Sequence, residues 1–146
     1  MKNNQVFVVR GDSDINSEAD LAGKNVEVQT DSSAEAALND NSELTSMFGS
    51  LTPVADYNTA FMDLESGAVD AIAMDDVVAS YQITSRKADF KVLDDVIAAE
   101  EYGIGFKKGN TGLRDKVQAT LEEMAADGTA AKISEKWFGK DITTIQ

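Results

Sequence analysis

The chain has 146 residues, of which 42% are hydrophobic and 27% charged; this fits one globular domain with a real core and excludes a disordered segment. Acidic side chains number 26 against 13 basic ones, for a formal net charge of -13; such a surface repels nucleic acid and anionic lipid, so both are poor partners. Histidine and cysteine are absent, which removes histidine bases, thiol nucleophiles, disulfides and the usual zinc sites.

No apolar run approaches the roughly 18 residues of a membrane span, so no membrane insertion is expected. Met1-Lys2-Asn3-Asn4 leads straight into a strand-like run, without the pattern of a signal sequence. What remains for chemistry is carboxylates, hydroxyls, a few Lys and Arg, and backbone dipoles. That set suits binding a small polar molecule better than making or breaking bonds.

Gln5–Arg10 is rich in valine and predicts a buried strand. A turn-rich loop follows from Gly11 to Ser17, and Val26-Glu-Val-Gln29 predicts a second strand. Ser32 and Glu35 have the spacing of a capping box, so a helix should begin at Ser32 or Ser33 and run through Leu38. Residues 39–50 are polar and carry no clear pattern. Thr52-Pro53-Val54 breaks any helix.

Asn58–Ser66 predicts a helix with Ala60, Phe61 and Leu64 on one face and Gly67 as its cap. Ala68–Met74 predicts a short buried strand, and Val77–Ile83 a helix. Phe90–Leu93 and Tyr102–Phe106 read as further strands. The C-terminal part is helical, with one stripe at Leu113, Val117, Leu121 and Met124 stopped by Gly128. A second stripe at Ala130, Ile133 and Trp137 is stopped by Gly139.

The unit of Leu, Gly, strand, polar turn and helix occurs twice, at Leu21–Leu38 and Leu64–Ile83. Alternating strands and helices predict an α/β domain with a mostly parallel sheet. In such sheets ligands bind beyond the carboxyl ends of strands, at helix N-termini. The turns at Thr30–Ser33 and Met74–Asp76 should lie there.

Each turn has two readings. Ser32 and Ser33 can cap their own helix, or present hydroxyl and N–H groups to a carboxylate or phosphate; Asp31 would compete with such an anion. In Asp75-Asp76 one carboxylate is explained by capping, and the other can receive an ammonium group. Taken as a pair, one turn suits a negative group and the other a positive one, which is the polarity of an amino-acid zwitterion.

Other motifs are weaker. Asp12-x-Asp14-x-Asn16 starts like a calcium loop, but Ser17 stands where Gly is needed and Gly23 where a bidentate Glu is needed. Gly103-Ile-Gly105 lacks the third glycine of a dinucleotide fingerprint. Neither a metal nor a cofactor is expected. Asp94-Asp95 and Glu100-Glu101 read as solvated charge, and Trp137 as core.

The order of these elements closely resembles the extracellular solute-binding proteins of family 3, which deliver polar amino acids to ABC importers. The matching residues are Asp20-Leu-Ala-Gly-Lys-Asn-Val-Glu-Val-Gln29, Ser32-Ser33-Ala34, Leu64-Glu-Ser-Gly-Ala-Val-Asp-Ala-Ile72, Asp75-Asp-Val-Val-Ala79, Tyr102-Gly-Ile-Gly-Phe106 and Asp127-Gly-Thr-Ala-Ala-Lys-Ile133, then Lys136-Trp-Phe-Gly139. They span nearly the whole chain.

The resemblance implies a periplasmic-binding-protein-like lobe of type II and a non-enzymatic function. Residues 11–101 would be the family's second lobe, 5–10 and 102–107 its crossover strands, and 110–146 helices that belong to lobe 1. The segment that normally comes first would be absent, and with it the arginine that grips the ligand carboxylate. Ser33, with Ser32, would meet the α-carboxylate of a polar amino acid. Asp75 would accept the α-ammonium, and Gln29 would lie near the side-chain subsite. The family usually has Gly where Asp31 stands. Partners would be an ABC transporter permease and either lobe 1 or a second copy of this chain; with lobe 1 missing, the C-terminal helices should fold back onto this lobe, or two chains exchange elements into a dimer, to cover the stripes. The setting would be extracytoplasmic. Two alternatives belong to other classes: a sensor module of a signalling receptor, marked by an adjoining transmembrane segment, and a cyclohexadienyl dehydratase-like enzyme, marked by turnover of prephenate or arogenate.

Overall fold

Valine-rich runs and alternating polarity become five strands of one sheet in the computed structural model, which describes residues 1–145. They are β1 (Lys2–Arg10), β2 (Asn25–Gln29), β3 (Ser50–Val54), β4 (Ala71–Asp75) and β5 (Phe90–Glu101), in the order β3-β2-β4-β1-β5. Strand β2 pairs in parallel with both β3 and β4, and β1 runs antiparallel to β4. The sheet is therefore mixed. The helices are α1 (Ser33–Asp40), α2 (Ser42–Thr45), α3 (Tyr57–Ser66), α4 (Asp76–Arg86), α5 (Thr111–Ala126) and α6 (Thr129–Phe138).

The residues group into two compact units, one of Asn4–Ala99 and the other of Met1–Asn3 with the chain from Glu100 onward. In the first, both sheet faces are covered. Phe7, Val9, Val26, Val28, Ala71 and Ala73 pack on one side with Ala34 and Leu38 of α1 and Leu44 of α2. Val8, Ile72 and Met74 pack on the other with Ala60, Phe61 and Leu64 of α3 and Ala79 of α4. Each large buried side chain contributes about 1.5–3 kcal/mol by leaving water. The Ala60/Phe61/Leu64 stripe meets the sheet as its spacing predicts, and Gly67 caps α3 with φ 79°, a left-handed conformation that Gly adopts without a Cβ penalty.

Two elements differ from the sequence expectation. Thr52-Pro53-Val54 does not merely end a helix; it lies in β3, which the sequence pattern does not reveal. Proline has no N–H for a ladder, and β3 is an edge strand, where that omission is tolerated. The expected strand at residues 102–107 does not form: β5 ends at Glu101, and 102–106 have no regular secondary structure. Gly103 and Gly105 lack side chains to pack across a ladder, which weakens strand formation.

In the second unit, Tyr102 and Met1 exchange backbone bonds, with the Tyr102 N–H donating at 2.8 Å and the Met1 ammonium at 3.0 Å. Ser134 is buried; its hydroxyl donates to the Lys140 carbonyl and accepts from the Ile142 N–H, both at 2.9 Å. Gly128 and Gly139 flank α6, both with positive φ. Trp137, expected in the core, is 72% exposed, and Leu113 and Ile133 are also exposed. Ile133 and Trp137 share one exposed face of α6, and α5 has no buried residue.

Candidate functional site

Parallel pairing fixes where the strand ends fall. Val26, Glu27 and Val28 lie opposite Ala71, Ile72 and Ala73, while Gln29 lies opposite Val54. The carboxyl ends of β2, β3 and β4 thus share one edge. From that edge leave Thr30–Ser33, Ala55–Tyr57 and Asp75-Asp76, each opening a helix. Gln29, Ser32, Ser33 and Asp75 therefore stand at the ends of two adjacent strands.

The first turn is held from within. Ser32 caps α1, its hydroxyl accepting from the Glu35 N–H at 3.1 Å. Glu35 returns a carboxylate to the Asp31 N–H at 2.7 Å, one position earlier than in a standard capping box. Asp31 has φ 58°, the left-handed conformation that favours glycine and that Asp tolerates better than most. The N–H groups of Ser33 and Ala34 take no acceptor among the described residues, and the Ser33 side chain is exposed. With the partial positive charge of the helix start, they are an anion-ready pair. Gln29 is half-buried, and its Nε2 donates to the Ala55 carbonyl at 3.4 Å.

The second turn carries the opposite sign. Asp75 caps α4 through Oδ1, which accepts from the Val77 and Val78 N–H groups at 3.0 and 3.1 Å. Its carboxylate is half-buried at the strand end. Next to it, Asp76 accepts from the Asn4 side-chain amide at 3.5 Å.

Tyr57, which the sequence reading leaves outside its helix, joins the two turns. It opens α3 and is half-buried. Burial raises its pKa; a hydrogen bond with the Ser32 hydroxyl works the other way, and the charge of Asp75 raises it further. One phenol thus touches the hydroxyl side and feels the carboxylate side. A tyrosine at the first position of a helix has no spacing that would reveal this contact.

An apolar cleft of about 1080 Å³ opens in the other unit, lined by Tyr102, Ile104, Phe106, Val117 and Leu121 with Arg114. None of the predicted site residues borders it. Among the described residues, no cluster of three or more His, Cys, Asp or Glu could hold a metal ion, and no helix is long and apolar enough to cross a membrane.

The family model for bacterial extracellular solute-binding proteins, family 3, matches residues 1–140. The chain belongs to this family. The L-cystine-binding protein TcyJ of Escherichia coli (strain K12) is 31% identical over 140 residues, covering 95% of this chain and 51% of TcyJ. A Streptococcus pneumoniae ABC uptake transporter substrate-binding protein, solved with bound histidine, superposes with a TM-score of 0.84 at 30% identity, covering 99% of this chain and 61% of that one. An ancestral arginine-binding protein bound to glutamine gives a TM-score of 0.74 at 36% identity, covering 96% of this chain and 61% of that one. The chain spans about half the length of the curated relatives it matches. Family and relatives are solute-binding proteins, not enzymes, and the fold is that of the amino-acid-binding proteins of ABC importers.

Proposed function

We propose that the chain is part of the substrate-binding component of an amino-acid ABC importer and forms one wall of its ligand site. The N–H groups of Ser33 and Ala34 and the Ser33 hydroxyl take the α-carboxylate, with Ser32 and Tyr57 holding the turn in shape. Asp75 takes the α-ammonium, and Gln29 faces the ligand side chain. The observation that carries this reading is the parallel pairing of β2 with β4, which makes neighbours of an anion-ready helix start and a carboxylate. The ligands of the relatives, cystine and histidine among them, support a polar amino acid as the class.

The facing wall comes from a further segment of the same fold or from a second copy of this chain. This is supported by the half-length coverage of the relatives. The importer permease is the downstream partner.

Calorimetry against the twenty amino acids tests the reading. The chain alone should bind a polar amino acid weakly, and Asp75→Asn should cost at least about tenfold in Kd, or roughly 1.4 kcal/mol. Submicromolar binding by the monomer would contradict a one-walled site. Binding of an amino acid unaffected by Asp75→Asn would contradict the ammonium assignment.

A further inference from the structure

Glu27 is an acid in the middle of β2, only 6% exposed. Its neighbours Val26 and Val28 pack into the α1 layer, so Glu27 points the other way, into the layer of Ile72 and α3. Its Oε2 is buried and accepts no hydrogen bond from a donor among the described residues. A lone carboxylate in that position is unstable unless something neutralises it.

Among the described residues, its surroundings supply no positive charge. From α3, the Asp63 carboxyl lies within hydrogen-bonding contact and its charge opposes that of Glu27. From β3, Thr52 stands opposite in register, and from β4, Ile72. The cation on this face of β1, Arg10, is committed elsewhere. Its guanidinium donates to the carbonyls of Leu64 and Val69 at 3.1 and 3.3 Å and pairs with Asp12. Two carboxyl groups in contact without a cation cannot both be ionised cheaply, and one proton held between them turns repulsion into a hydrogen bond.

We propose that Glu27 and Asp63 share one proton in the folded chain, making a pH-sensitive clamp between β2 and α3. The folded chain then holds a proton that the unfolded chain releases above the ordinary carboxylate range. Burial is the first cause that raises the pKa of Glu27, and the Asp63 charge and hydrogen bond add to it. A group raised on folding stabilises fully below its unfolded pKa, and that contribution is lost as pH rises through the folded value. The clamp works without ligand.

Two measurements on the intact chain test it. In carbon-13 NMR, the Glu27 carboxyl should titrate well above the ordinary glutamate value of about 4.3. In thermal melts from mildly acidic to mildly alkaline pH, the wild type should lose stability as pH rises. Glu27→Gln and Asp63→Asn should both flatten that slope and melt higher than wild type at the alkaline end. Glu43→Gln, an exposed change of equal charge, should keep the wild-type slope. Titration of Glu27 in the ordinary range would overturn the proposal, as would an unchanged slope in Glu27→Gln.

Discussion

Ser32 and Ser33 are adjacent hydroxyls with different duties. Ser32 satisfies the Glu35 N–H, so Ser32→Ala should destabilise the fold by about 1 kcal/mol in urea unfolding. Ser33 is exposed; Ser33→Ala should leave the urea midpoint nearly unchanged and show its effect in ligand affinity. At Asp31 the left-handed backbone can be tested with a β-branched residue: Asp31→Val should cost about 1–2 kcal/mol in the same assay. Much of this turn is legible in the sequence, because Ser32 and Glu35 show their roles through spacing alone. Tyr57 is not, because its partners are Ser32 and Asp75, far away in the chain and brought near only by strand pairing.

The helices are more legible in the sequence than the strands, for a physical reason. The α3 stripe of Ala60, Phe61 and Leu64 repeats at the helical period, and Gly67 marks its end. The structure puts Phe61 at 0% exposure, its ring centroid 5.1 Å from that of Phe90. Phe61→Ala should therefore cost about 3–5 kcal/mol by calorimetric or urea unfolding. Strand β3 has no such signature: it is short, half-exposed and contains Pro53, and only pairing with β2 makes it a strand. Tyr102–Phe106 shows the converse, a strand-like composition that remains irregular where two glycines leave little to pack. The order β3-β2-β4 matters most for the site. The repeated strand–turn–helix unit predicts parallel neighbours, and β2 beside β4 is the pairing that gives the two turns a common edge.

The net charge of -13 has a local counterpart: Asp31, Glu35, Asp56, Asp75 and Asp76 stand at the turns that leave the carboxyl ends of β2, β3 and β4. Such a field favours a cationic ligand over an anionic one of similar shape. Lysine or arginine should bind more tightly than glutamate in calorimetry, and added salt should narrow the difference. The most direct test of the two-turn site is an NMR titration of the chain with polar amino acids, following backbone amides. The account predicts saturable shifts concentrated at Gln29–Ala34 and Asp75–Val78. A bound amino acid that leaves both turns unshifted, or that shifts one while the other stays silent, would contradict it.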